Sequence, residues 1–541
     1  MTKEQWKPLR GSSPAPDQIM LSIKGDPARE MTVRWRVSED VTNGYALLRP
    51  VGSQTWTRCE AVCNFFETDL DRSNFFFSDL KPLSPETEYE YTVGDETHRS
   101  PVFRFRSLKD HPTRFSFLCV ADIQTGSAEP PADYTFVGDF LRETLQKHPE
   151  ADFILTAGDN TNCGQTDVQW TGLFLGLAGI AESIPVMFCM GNHDDMGFAD
   201  YYAGTGKYYS EHATYFTNML RYSYPENGPV GWEIANYAFD YGNAHFSILG
   251  TSGYEEMNDW LLADASASDK TWKLAAHHFP VCYAGPTIES ADTWPALQPG
   301  MDACDVVFSG HEHSFARSYP RRGDGLYDRP SQGTVHYNVG SGARNPPGTR
   351  VVPKVWNAKT YCHEENLSMY TIADVDGPRL RLRAFVEDGR LVDDCVIDKE
   401  LDRISPPDPA PVYNRPRLKY KGYDLGMCGE HLLPQQINDL WYVCPGAVMS
   451  YTGGTAVRTP GQIRVEIYGR FAVFTENSDV METSGGAVRM AGPCLRLSEG
   501  QLFVPVEDFC RPLRMQPLYF THNNFISIES DTEQRPVPVQ P

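Results

Sequence analysis

Read along the chain, apolar positions first recur at every second residue. In "MTVRWRV", Met31, Val33, Trp35 and Val37 alternate with Thr32, Arg34 and Arg36, the pattern of a half-buried antiparallel strand. The alternation returns at Tyr89, Tyr91 and Val93 in "LKPLSPETEYEYTVGD" and at Phe103 and Phe105 before the charged "KDHPTR". Short strands bounded by turn residues, with no helical pattern, predict an all-β sandwich over 17–110, preceded by an extension over 1–16. Past Arg114 the period changes. Continuous apolar runs now alternate with amphipathic stretches such as "FVGDFLRETLQ" and "WTGLFLGLAGIAE", which predicts strands buried on both faces of a layered α/β domain over 111–403, with covering helices. That domain closes in "SMYTIADVDGPRLRLRAFVEDGRLVD", an alternating hairpin-like pair. The proline-dense segment 404–418 reads as a linker, 419–518 as a small α+β or β-rich domain, and 519–541 as a disordered tail.

Composition narrows this picture. A chain of 541 residues is too long for one core and should divide into about three or four domains. A net charge of −23 argues against nucleic-acid binding and against attraction to anionic lipid, so any phosphate chemistry must rely on local positive charge. No run approaches the length of a membrane span, so no membrane insertion is expected. The opening "MTKEQWKPLRGSSPAPDQ" lacks the apolar stretch of a secretory signal, which points to a cytoplasmic protein, or to a secreted or cell-surface one had a leader been removed. The 13 cysteines are odd in number and scattered, and Cys119 and Cys189 sit inside apolar runs, so reduced thiols are expected.

The chemistry gathers where the buried runs end. "FSFLCVADIQ" ends in Asp122 and Gln124, "ADFILTAGDNTN" in Asp159, "IPVMFCMGNHDD" in Asn192 and His193, "WKLAAHHFP" in His277 and His278, and "CDVVFSGHEH" in His311 and His313. Any one has a plain structural reading, since Asp after a strand often caps a helix and Asn-His often makes a turn. Five together are harder to explain that way. Carboxylates, an amide and imidazoles delivered to one sheet edge suffice for two metals sharing one carboxylate.

D-x-Q, G-D-N, G-N-H-D, H-F-P and G-H-E-H, in this order, resemble the calcineurin-like metallophosphoesterases. "YAFDYGNAHFSIL" (237 to 249), "GHEHSFARSYP" (310 to 320) and the leading β domain, which looks like a fibronectin type III-like domain, bring the chain closer to the purple acid phosphatases. The resemblance implies a four-layer α/β sandwich, two mixed sheets flanked by helices. It also implies two divalent metal ions (Fe, Mn, Zn or Mg), with Asp159 bridging them, Asp122 and His313 on the first, and Asn192, His278 and His311 on the second. H-F-P selects His278 over His277. His193 would lie beside the bound phosphate and protonate the leaving alcohol, oriented by Asp194. The implied reaction is hydrolysis of a small phosphate monoester by a metal-bound hydroxide. A phosphodiesterase with the same centre, and a catalytically weakened phosphate-binding scaffold, remain the alternatives.

Two positions depart from the family pattern. Purple members carry a tyrosine where this chain has Asn162, so a colourless protein with a divalent first metal is expected. Gln124 stands where many relatives have the His of D-x-H, and its amide oxygen is the alternative ligand there. His277, Arg317 and Arg344 are candidate phosphate contacts. The aromatic stretch from Phe198 to Trp232 either packs on itself or walls the site. The segment 420–515 resembles the stalk domain at the N-terminus of copper amine oxidases and suggests packing or homodimerisation through the C-terminal domain.

Overall fold

The computed structural model describes residues 2–126, 131–196, 213–284, 293–345, 356–361, 367–408, 417–420, 423–424, 433–497, 501–520 and 525–530. Seven strands, β1 (Asp17–Ser22), β2 (Met31–Ser38), β3 (Tyr45–Pro50), β4 (Thr57–Glu67), β5 (Arg72–Leu80), β6 (Glu88–Gly94) and β7 (Phe103–Arg106), form the expected all-β domain in the order β1-β2-β5-β4-β3-β6-β7. The long β4 joins its two halves, pairing with β3 through Thr57–Glu60 and with β5 through Ala61–Glu67. The extension ahead of it is not plain coil. A short helix, α1 (Lys3–Arg10), buries Trp6.

One strand departs from its pattern. Every residue of β2 is buried, including Arg34 and Arg36 on the face expected to meet water, because that face packs against the central domain. Arg36 answers burial with charge, pairing with Asp17 at 2.6 Å and approaching Asp71 and Asp167 at 3.7 and 3.9 Å. The Arg34 guanidinium instead lies between the rings of Phe75 and Phe174, 5.2 and 4.3 Å from their centres.

The central domain holds two mixed sheets. In the first, β8 (Arg114–Val120), β9 (Ala151–Thr156) and β10 (Val186–Met187) run parallel, and β8 continues antiparallel into Met369–Asp376, Arg379–Val386, Leu391–Asp398 and Arg403–Ser405. The hairpin-like pair is thus a meander, and the linker's first residues extend it. In the second sheet β11 (Tyr237–Tyr241) leads antiparallel into β12 (Ala244–Leu249). Strands β12, β13 (Trp272–His277), β14 (Val306–Ser309) and Val335–Asn338 run parallel, with β15 (Phe315–Ser318) and Asn357–Tyr361 at the far edge. Phe117 and Phe153 of the first sheet meet Phe246 of the second edge-to-face, and Phe117 meets Phe308 likewise. Helices cover the outer faces. Phe140 of α2 (Thr135–Lys147) packs on Tyr370, beside α3 (Asp167–Gly176), while the helices Tyr254–Ala267 and Thr293–Met301 close over Ala275 and Val307.

A single apolar core runs from the leading β domain into both sheets, with Leu21, Trp35 and Tyr91 sharing it with Phe117, Trp170 and Phe216. Hydrogen bonds cross the same boundary, one main-chain from Leu21 N to Ala181 O at 2.8 Å and one from the Tyr91 hydroxyl to Glu182 O at 2.8 Å. The C-terminal domain has its own core around Val448, Val465, Phe474 and Phe503. It is β-rich, built on a five-stranded antiparallel meander from Thr455–Thr459 to Gly486–Arg489. Its boundaries are wider than expected. Arg417–Tyr420, at the end of the anticipated linker, pairs in parallel with Phe525–Ser530, inside the anticipated tail. Among the described residues no helix is long and apolar enough to cross a membrane.

Candidate metal centre

The parallel strands β8, β9, β13 and β14 end at one edge, and the turn after each carries a polar side chain inward. Four of these residues are forced into the left-handed backbone region, Asp122 at φ 52°, Asp159 at 54°, His311 at 70° and His313 at 44°. That conformation is uncommon outside glycine, though Asp and His enter it more readily than most residues, and here it turns four polar side chains toward one point. Glycines let the turns close. A Cβ on Gly158 (φ 93°) would lie 2.3 Å from His278 Nδ1, and one on Gly191 would lie 2.1 Å from both the amide nitrogen and Oδ1 of Asp159.

The side chains converge on Asp159. His278 Nε2 lies 3.2 Å from Asp159 Oδ2 and 2.9 Å from Asn192 Oδ1, and His311 Nδ1 lies 3.2 Å from the same amide oxygen. One ligand atom each from Asp159, His278 and His311 falls within 4.8 Å of the others. His278 donates from Nδ1 to Ala157 O at 3.0 Å, which leaves Nε2 turned to the site. Beside this group, His313 Nε2 lies 3.5 Å from Asp122 Oδ1, and Asp122 accepts from the His311 amide at 2.9 Å. The two imidazoles of G-H-E-H therefore face different neighbours, because residues 311–313 form a turn rather than continuing the strand. Gln124 donates from Nε2 to Asp159 Oδ2 at 3.3 Å, while its buried Oε1 meets no partner among the described residues.

The electrostatics is that of a buried carboxylate surrounded by imidazoles. Burial works against charge on Asp159, but His278, His193 and His311 more than offset it and hold the carboxyl well below the usual range. Reciprocally, burial opposes charge on His278 and Asp159 prevails, pushing the imidazole up to about 9.

His193 sits at the rim. Its amide donates to Asp159 Oδ1 at 2.9 Å, its Nε2 lies 3.9 Å from Asp159 Oδ2, and its Nδ1 lies 2.8 Å from the carbonyl oxygen of Asn162.

Three expectations need correcting. Asp194 does not orient the His193 ring. It lies fully buried beneath the site, where its carboxylate accepts from the amides of Asn160, Thr161 and Gly191 and from the Asn160 and Thr161 side chains, tying the G-D-N loop to the G-N-H-D turn. Burial and the like charge of Asp159 push it up to about 6. Arg317 is unavailable to a phosphate because its guanidinium is held by Asp393 at 2.7 Å and by Asp408 at 2.6 Å. His277, one residue before His278 and so on the opposite face, is fully buried beside Tyr254. Burial drives its imidazole down to about 3, so it is neutral and out of reach of a substrate. Arg344 pairs with Glu387. Of the aromatic stretch, 198–212 lies outside the described residues, while Tyr215, Phe216 and Tyr224 pack inward as core.

Sequence reasoning missed the Asn162 carbonyl, since a main-chain acceptor leaves no side-chain signature. It also missed Ser341 and Asn345, which donate to Asp122 O at 3.0 Å each and hold that turn.

Family models agree with this geometry. Residues 115–315 match the model of the calcineurin-like phosphoesterases, and residues 16–107 that of the purple acid phosphatase N-terminal domain. Acid phosphatase type 7 of Homo sapiens is 24% identical over 442 residues, spanning 73% of this chain and 93% of its own. Probable inactive purple acid phosphatase 1 of Arabidopsis thaliana is 23% identical over 370 residues, 58% of each chain. Among solved structures, a purple acid phosphatase from yellow lupin (Lupinus luteus) seeds shares the fold at a TM-score of 0.56, with 18% identity over 71% of this chain and 74% of its own. Residues 115–315 are therefore a calcineurin-like phosphoesterase domain, carried behind a purple acid phosphatase N-terminal domain at 16–107.

Proposed function

We propose that this protein hydrolyses small phosphate monoesters with the help of two divalent cations drawn from iron, manganese, zinc and magnesium. The observation that supports this best is the convergence of Asn192, His193, His278 and His311 on the buried carboxylate of Asp159, with Asp122 and His313 alongside. The donor set fits such ions. Asp159 would be shared, Asp122 and His313 would hold one cation, and Asn192, His278 and His311 the other. Gln124 suits the first as well, since a buried amide oxygen with no partner among the described residues is a donor that awaits one. Bound there, the two cations supply Lewis-acid stabilisation of the phosphoryl oxygens and a more acidic attacking water.

The chain's own groups do the rest. Two carboxylates cancel half the charge of two divalent ions, so the site stays cationic on an acidic protein and attracts a phosphate ester. The Asn162 carbonyl fixes the His193 ring so that Nε2 faces the reacting group, where it can pass a proton to the departing alkoxide.

Because some relatives are named as probably inactive, activity has to be measured directly. Metal analysis of the full chain, with turnover of an aryl phosphate and of a bis-aryl phosphodiester, tests the reading. Two ions per chain and faster monoester turnover are expected. Faster diester turnover would change the substrate class, and neither metal nor turnover after reconstitution would leave a scaffold.

A further inference from the structure

The His193 ring depends on a main-chain carbonyl, and a carbonyl holds a ring only as firmly as its own loop is held. The loop after Asp159 has no regular structure at Asn162, yet two successive side chains of α3 bracket that residue. Gln169 Oε1 accepts from the Asn162 amide at 3.2 Å, and Trp170 Nε1 donates to Gly164 O at 2.7 Å. Gln169 is completely buried, and the same oxygen accepts from the hydroxyl of Tyr134 at 2.7 Å. The start of α3 is fixed in turn by the N-terminal domain, where Asp69 Oδ1 accepts from the Asp167 amide at 2.8 Å and Thr68 Oγ1 donates to Asp167 Oδ2 at 2.7 Å.

We propose that Gln169, backed by Tyr134, is a positioning residue for His193, acting through the main chain of Asn162. The proposal rests on the phosphoesterase reading above. It assigns Gln169 no contact with substrate or metal. It also gives the N-terminal domain a part in the reaction, as the anchor of the helix that aims the proton donor. Small errors in aim are costly in catalysis, so the effect should fall on turnover rather than on binding.

The decisive experiment is a double-mutant cycle between Gln169→Leu and His193→Ala in the full metal-loaded chain, with an aryl phosphate as substrate. Gln169→Leu should lower kcat about 10-fold or more, with KM within about 2-fold and metal content unchanged. Gln169→Glu, which keeps the acceptor, should restore most of the loss. In the His193→Ala background Gln169→Leu should cost nothing further, whereas a general structural role would cost the same in both backgrounds. Wild-type kcat in Gln169→Leu, an equal loss in both backgrounds, or a loss that follows metal content would each overturn the proposal. If Gln169→Leu fails to fold, Tyr134→Phe takes its place, and an unchanged kcat there overturns it equally. A silent His193→Ala would remove the proton-donor role of His193 and the positioning proposal with it, whereas no turnover by the metal-loaded wild-type chain would sink the phosphoesterase reading itself. A strong His193→Ala effect beside a silent Gln169→Leu would sink only the positioning role.

Discussion

Asp159 and His193 are neighbours that should fail differently. Asp159→Asn removes the charge that both cations would share, so metal content and turnover should be lost together, as metal analysis beside the aryl phosphate assay would show. His193→Ala should keep both metals and lower kcat by roughly 10² to 10⁴. A third residue governs colour. Asn162 stands where a phenolate would donate charge to ferric iron, so iron-loaded protein should show no visible charge-transfer band in its absorption spectrum. At this scale the ligand candidates were legible because each is a polar residue ending an apolar strand. Arg317 and His277 misled for a physical reason. Sequence adjacency to a motif does not tell which face a strand residue occupies, nor that Asp393 and Asp408, 76 and 91 residues away, would claim the Arg317 guanidinium.

Between elements, close approach and buried charge decide. Gly191→Ala would drive a methyl into the Asp159 turn, so metal binding and activity should fall while far-UV circular dichroism stays native, at a cost of about 1–3 kcal/mol in a denaturant titration. A second junction, remote from the centre, couples β11, β12 and the helix Tyr254–Ala267. His245 lies 2.7 Å from Asp240 and 2.8 Å from Asp264. Burial opposes its charge, but the two carboxylates prevail and push it up to about 9. A raised folded pKa means the contribution is complete below the ordinary histidine value and is lost as pH rises through about 9. His245→Gln should therefore be less stable than wild type near neutrality by about 1–2 kcal/mol, discounted because Asp240 is half exposed. The melting temperatures should converge above that pH. Several elements, among them β2, β6 to β9, α2 and α3, were readable from period. The burial of β2 on both faces was not, because alternation reports one buried face and cannot reveal that Arg36 meets Asp167 from another domain.

Across the whole molecule, the cores divide the chain unequally. The N-terminal and phosphoesterase domains share one core while the C-terminal domain has another. Calorimetry should accordingly resolve two transitions, and a chain ending at Asp408 should keep only the one that metal loading shifts, together with the aryl phosphatase activity. The domain order was legible from the change of period near Arg114 and the prolines after 404. The outer edge of the last domain was not, because Phe525–Ser530 is held between the neighbouring Met515–Phe520 and a partner, Arg417–Tyr420, that lies about a hundred residues earlier.

The shared core also sets a schedule for synthesis. Leu21 leaves the ribosome 160 residues before Ala181, whose carbonyl it must meet. At about 5–20 residues per second that is a wait of about 8–30 s. During that interval the first domain can pair its strands but has nothing to lay against the inner face of β1 and β2, where Arg34 lies against Phe75 and awaits Phe174, and Arg36 meets Asp17 and Asp71 and awaits Asp167. The Arg34 charge, which burial opposes in the finished protein, should help keep that face wettable on the nascent chain until its partner arrives.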